Sequence, residues 1–167
     1  MLKGAFGSPN AIAETLVKTT PLLLAGLGVA IAFQMQLWNI GAEGQLYMGA
    51  FFATAVALFV QGPAVLMLAV MFLAGALGGA LQILVPAVAR AYWNVNEIIT
   101  TLLLNFVAVL LVNHVAMGPW RDKGAAILSA TRRLPYELPV LGDSYLHAGI
   151  FVAVAAAVLL ALAMQGS

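Results

Sequence analysis

Formal charge is scarce in this chain: Asp, Glu, Lys and Arg make up 8% of its 167 residues, while 63% are hydrophobic. A mean hydropathy of +1.03 lies far outside the balance of a soluble domain and marks an integral membrane protein. Cysteine is absent altogether, which excludes disulfides, a thiolate nucleophile and thiolate metal ligands, and leaves the redox compartment unread. The two histidines, His114 and His147, fall in no metal-ligand spacing such as H-E-x-x-H, and each reads as a polar residue near a helix end. There is no G-x-x-x-x-G-K-[ST] loop. The glycine-rich GALGGA (75–80) lies inside an apolar run with no lysine to meet phosphate, so any ATP hydrolysis belongs to another chain. Serine-nucleophile and paired-carboxylate arrangements are missing too, and Glu43 and Glu97 stand far apart in sequence. No catalytic, cofactor-binding or metal-binding residue is expected. A net charge of +1 with no basic patch argues against a nucleic-acid partner.

What the chain does have is long uncharged stretches. A charge at mid-bilayer costs roughly 2.5–3.5 kcal/mol, so charge-free windows are the ones able to cross. They run over 19–42, 44–89, 98–120 and 144–167, and the second is long enough for two crossings of about 20 residues, with Gln61-Gly62-Pro63 as the turn. Five spans follow, near 20–37, 45–60, 64–86, 97–116 and 146–164. Helix is the expected form throughout, because lipid cannot satisfy free backbone groups and no period-2 alternation suggests a barrel. Trp38, Tyr92, Trp93, Trp120, Tyr136 and Tyr145 fall close to the span ends, where amphipathic rings prefer to sit. Ahead of the first span, Ile12, Leu16 and Val17 share a helical face while Glu14 and Lys18 stand at i and i+4, which suits an interfacial helix over 9–18. Residues 117–145 hold most of the charges and three of the seven prolines and read as an extramembrane loop. The whole is expected to be all-α, a polytopic transmembrane helical bundle.

Polar residues inside such a chain need a reason. Asn39, Glu43 and Gln45, in NIGAEGQ (39–45), stand between the first two spans, where Gly41 and Gly44 permit a sharp reversal and Glu43 suits a helix start. Two readings remain open: a tight hairpin whose side chains satisfy backbone donors, or a helix break at membrane depth facing a solute path. In NVNEIITTLLLNF, Glu97, Thr101 and Asn105 recur every fourth residue and form a polar stripe on one helix face. Lipid is a poor neighbour for it, so it faces either other helices or a water-filled path. Gly75 and Gly79, four apart, are candidate helix-packing positions.

NIGAEGQLYMGA (39–50), the preceding PLLLAGLGVAIAF (21–33) and NEIITTLLLNFVAVLLVNHVAMGPWRDKGA (96–125) resemble permease subunits of bacterial ABC importers in the branched-chain amino acid and simple-sugar superfamily. The nucleoside and simple-sugar uptake branch is the nearest in likeness. The resemblance implies a permease that moves a small polar solute by alternating access in the bacterial inner (plasma) membrane. It implies as partners a second permease chain, cytoplasmic ATPase subunits and an extracytoplasmic solute-binding protein, besides the lipid bilayer. It places Asn39, Glu43, Gln45, Glu97 and Asn105 at the family's motif positions, and it implies that the chain corresponds to an N-terminal half. The Lys and Arg count puts residues 117–145 on the cytoplasmic side, whereas the family likeness puts them outside and Arg90 inside; the likeness is followed here. A membrane scaffold without a solute path, and an ATP-independent carrier or channel, are the competing classes.

Overall fold

The computed structural model describes residues 4, 6–34, 38–124, 131–140 and 146–165. Among these every regular element longer than an isolated bridge is helical: α1 (Pro9–Gln34), α2 (Ala42–Phe59), α3 (Ala64–Trp93), α4 (Glu97–Met117) and α5 (Gly149–Gln165). The all-α, membrane-type architecture expected from hydropathy is what the chain adopts. By length and composition α1, α3 and α4 can each cross a membrane, and α5 is a shorter apolar helix. The helices divide between two compact units, one holding α1 and α5, the other α2, α3 and α4.

In the first unit α1 packs against α5, burying Ala13 and Thr20 on one helix and Ala153 on the other. Ser8 opens α1, its Oγ accepting from the Ala11 N–H at 3.2 Å, with Pro9 at the first helical position, where a missing N–H costs nothing. An end near residue 19, between an interfacial helix and the first span, is not seen: α1 is one continuous helix through Pro21. Proline removes the donor for the Val17 carbonyl, and in the turns around it Thr15, Thr19 and Thr20 each donate a hydroxyl to the carbonyl four residues back, that of Ala11, Thr15 and Leu16, at 2.7–2.9 Å. Such hydroxyls are among the devices that let membrane helices carry proline. His147 Nδ1 accepts from the Gly149 N–H at 3.2 Å and so opens α5, which accounts for that histidine.

In the second unit α2 and α3 are antiparallel neighbours joined through Val60–Pro63. Their contact face is made by glycines. A Cβ on Gly78 would stand 2.6 Å from the Met48 carbonyl oxygen, and one on Gly49 would stand 3.0 Å from that of Gly75. Backbones can approach this closely only where both helices present small residues. The α3–α4 turn is made by two asparagines. Asn94 takes the left-handed conformation (φ 53°), which asparagine tolerates better than most residues, and ends α3. Asn96 starts α4, its Oδ1 accepting from the N–H groups of Ile98 (2.9 Å) and Ile99 (3.4 Å).

Residues 118–124 and 131–137 fold back over the opposite end of this unit. The Trp120 ring stacks on Phe51 with centroids 4.8 Å apart and meets Phe59 edge-on at 6.0 Å. Tyr136 ties the same segment to the α2–α3 turn, its hydroxyl accepting from the Gly62 N–H at 3.1 Å. Much of the expected 117–145 loop is therefore packed structure; its residues 125–130 and 141–145, Tyr145 included, lie outside the described residues, as do 35–37 at the end of the first expected span.

Candidate solute-path site

α2 begins below the level at which α4 begins. Gly41, just ahead of α2, abuts Thr101, and Gly44 abuts Asn105. Those positions are one and two turns into α4, or about 6 and 12 Å at 1.5 Å per residue. The start of α2 is thus sunk alongside a membrane-type helix.

Its first turn has four backbone N–H groups without in-helix partners, and Gly41 has no side chain to cap them. Asn105 supplies the cap from another helix. Its Oδ1 accepts from the Gly44 N–H at 2.8 Å, and its Nδ2 donates to the Ile40 carbonyl at 2.8 Å. Ile40 and Gly44 are four apart, the spacing of one α-helical bond, so the carboxamide takes the place of the bond that would have carried α2 one residue further back. With both ends satisfied, a buried amide of this kind is tolerated, and Asn105 is only 7% exposed. Gly44 must be glycine: a Cβ there would lie 2.6 Å from Asn105 Oδ1 and 3.1 Å from the Asn105 backbone.

The other motif residues divide into those drawn to this junction and those left outside it. Asn39 Oδ1 accepts from the Gly41 N–H at 2.9 Å, holding the approach to α2. Thr101 is buried, 2% exposed, and its hydroxyl donates to the Glu97 (2.7 Å) and Ile98 (3.2 Å) carbonyls. Gln45 is half-buried in the first turn of α2. Glu43, in the same turn, is exposed. Glu97 sits at the α3–α4 turn, ion-paired with Arg90, so the stripe Glu97–Thr101–Asn105 begins in a salt bridge and ends in the buried cap. Gly75 and Gly79 lie on the α2-facing side of α3, Gly79 in the looser contact, with its Cβ position 3.5 Å from the Gln45 carbonyl oxygen.

Sequence reasoning missed Gln82, the lone strongly polar residue of α3 between Ala64 and Ala89. Its Nε2 donates to the Leu104 carbonyl at 2.9 Å and passes 3.0 Å from the Cβ position of Gly44. The signal was available: one glutamine in an otherwise apolar span, four residues before a proline. Gly41, Gln45, Gln82, Ile83, Pro86, Thr101 and Leu104 together line a small crevice of about 140 Å³, counted to its open mouth and too tight to admit water. Among the described residues no charged side chain lines it. Its polar groups are two carboxamides and a hydroxyl, able to donate to and accept from a neutral solute but supplying no counter-charge. Around it, Leu77, Leu81, Leu84, Leu102, Leu103 and Phe106 are exposed on the apolar outer faces of α3 and α4.

Against known proteins, residues 11–167 match the family model described as branched-chain amino acid transport system / permease component. The chain belongs to that family. It is 43% identical over 165 residues to a glucose ABC transporter permease protein of Haloferax volcanii, covering 90% of this chain and 43% of that protein. A guanosine ABC transporter permease protein of Bacillus subtilis is 36% identical over 161 residues, covering 94% of this chain and 46% of the relative. A nucleoside ABC transporter permease protein of Lactococcus lactis subsp. cremoris is 30% identical over 169 residues, covering 95% and 46%. The chain thus spans a little under half the length of these curated relatives. No solved structure matches it.

Proposed function

We propose that this chain is the solute-path half of an ABC importer permease that carries a neutral hydroxylated solute, a nucleoside or simple sugar. The full permease sits in the bacterial inner (plasma) membrane with a second permease chain, cytoplasmic ATPase subunits and an extracytoplasmic solute-binding protein. ATP-driven closure of the ATPases rocks the helices between outward- and inward-facing states around the sunken start of α2. The observation that carries the solute class is the uncharged crevice. A zwitterionic amino acid is held best where charged groups or free helix ends meet its two termini, yet Glu97 is engaged by Arg90 and Glu43 faces outward. The anion-binding tendency of the α2 N-terminus is blunted as well, because Asn105 occupies the Gly44 N–H. Relatives named for glucose, guanosine and nucleosides agree with an uncharged cargo.

A scaffold without a path draws support from the same bonds, since Asn105 and Gln82 are satisfied by backbone. Uptake separates the two. The full-length permease is assembled with its partners in proteoliposomes and offered radiolabelled glucose, guanosine and leucine, with and without ATP. ATP-dependent uptake of glucose or guanosine in preference to leucine is expected. Preference for leucine, uptake independent of ATP, or no uptake by an intact complex overturns the reading.

A further inference from the structure

The α3 wall of the crevice is a single helical turn. Gln82, Ile83 and Pro86 are the residues that α3 contributes, and they lie within the span of one i→i+4 bond. That bond is missing. Pro86 has no N–H to give the Gln82 carbonyl, so this turn lacks the restraint that every neighbouring turn has. Pro86 is also fully buried, which keeps the weak turn inside the protein, where a bend moves packed side chains.

The Gln82 side chain crosses from this weakened turn to α4. Its bond to the Leu104 carbonyl differs in kind from those of Asn105. Asn105 bridges two backbone groups at the start of α2, and breaking its bonds leaves both unpaired unless α2 winds back by one residue at the expense of the Asn39–Gly41 turn. The Leu104 carbonyl lies mid-helix in α4, where α-helical geometry already gives it a partner at position 108. Releasing Gln82 strands no backbone group. Of the polar links converging on Gly44, the one from Gln82 is the reversible one.

Building on the permease reading, we infer that Gln82 is a positioning residue that latches the crevice shut, with the Pro86 turn as its hinge. Bending α3 at 82–86 withdraws the amide from Leu104 and parts the α3 wall from Gly41, Gln45 and Thr101. Asn105 stays in place and keeps α2 seated while this happens.

The test uses the absence of cysteine from this chain. In the full-length transporter with its partners, and with any other cysteines replaced, Ile83→Cys is labelled with a water-soluble maleimide at rest and during ATP-driven turnover. Slow labelling at rest and faster labelling in turnover are expected. Adding Gln82→Leu raises the resting rate about fivefold, the factor that one neutral hydrogen bond is worth. Adding Pro86→Ala restores the missing backbone bond and suppresses the turnover-dependent increase. Where Gln82→Leu impairs assembly, Gln82→Asn draws the amide back by one methylene and carries the same expectation. A resting rate unchanged by loss of the amide in an intact complex, or a turnover increase undiminished by Pro86→Ala, overturns the latch. Solute uptake by the cysteine-free transporter, measured in parallel, distinguishes the two levels. Uptake with unaltered labelling overturns the latch alone, whereas no uptake overturns the permease reading and the latch with it.

Discussion

Replacing Asn105 with leucine keeps the side chain's branching and approximate volume but removes both of its hydrogen bonds. The Gly44 N–H and the Ile40 carbonyl lose partners at 2.8 Å each, at a position 7% exposed. Priced as buried groups left unsatisfied, two such losses cost about 2–6 kcal/mol. Priced from interhelical bonds in membranes, which average about 0.6 and reach about 1.7 kcal/mol, they cost about 1–3 kcal/mol. The ranges overlap at about 2–3 kcal/mol, and that is the expected destabilisation. One relaxation limits it: Ile40 and Gly44 can bond to each other if α2 extends backward, at the expense of the Asn39–Gly41 turn. Both routes disturb the α2 start. The assay is thermal unfolding of the full-length permease in detergent together with peptide-level amide exchange over 38–46. Asn105→Leu should lower the melting temperature and change exchange in that peptide. Unchanged stability and unchanged exchange would refute the reasoning.

Other expectations follow from the same geometry. Gly78→Ala forces a methyl to 2.6 Å from the Met48 carbonyl oxygen and should destabilise by about 1–3 kcal/mol as an overpacked contact, whereas Gly79→Ala meets only ordinary contact at 3.5 Å and should be tolerated; melting temperatures of the two variants check this. Glu97→Gln breaks the ion pair with Arg90, but with the two side chains 21% and 45% exposed the loss should stay below about 1 kcal/mol, and the swapped pair Arg90→Glu/Glu97→Arg should recover part of it. Trp120→Ala removes the stack on Phe51 and the edge contact with Phe59, and should loosen residues 118–124 and 131–137, read as faster proteolysis there with α2–α4 still folded.

Much of the fold was legible because lipid simplifies the rules: long uncharged windows have to be helices, and Gly-Pro and Asn-rich breaks mark their turns. The Gln61-Gly62-Pro63 break could be read as the turn between two crossings, and the structure has α2 end at Phe59 and α3 begin at Ala64, because Gly and Pro act locally. Partnerships that depend on how helices rotate against each other could not. NIGAEGQ announces a break, but nothing in it shows that its cap comes from a residue 61 positions later. The stripe at 97, 101 and 105 was visible as a period; that its first member ends in a salt bridge and its last in a backbone splice depends on tertiary register. The helix-packing glycines illustrate the same limit. A four-residue spacing singled out Gly75 and Gly79, while the crossing of α2 over α3 makes Gly78 the tightest position. Continuity of α1 through Pro21 was hidden for another reason, since charge marks depth in the membrane and does not mark helix ends.

The central claim is that the start of α2 meets α4 at Thr101 and, on the proposed function, stays seated there while the crevice opens. Gly41→Cys with Thr101→Cys tests it most directly, because a Cβ on Gly41 would lie 3.1 Å from that of Thr101, a few tenths of an ångström inside the roughly 3.5–4.5 Å that a disulfide spans. In the full-length, otherwise cysteine-free transporter the pair should cross-link on mild oxidation while ATP-driven uptake continues, because the opening moves α3 and leaves α2 seated on α4. A pair that does not cross-link in a folded complex, or one whose cross-linking stops uptake until reductant is added, would contradict it.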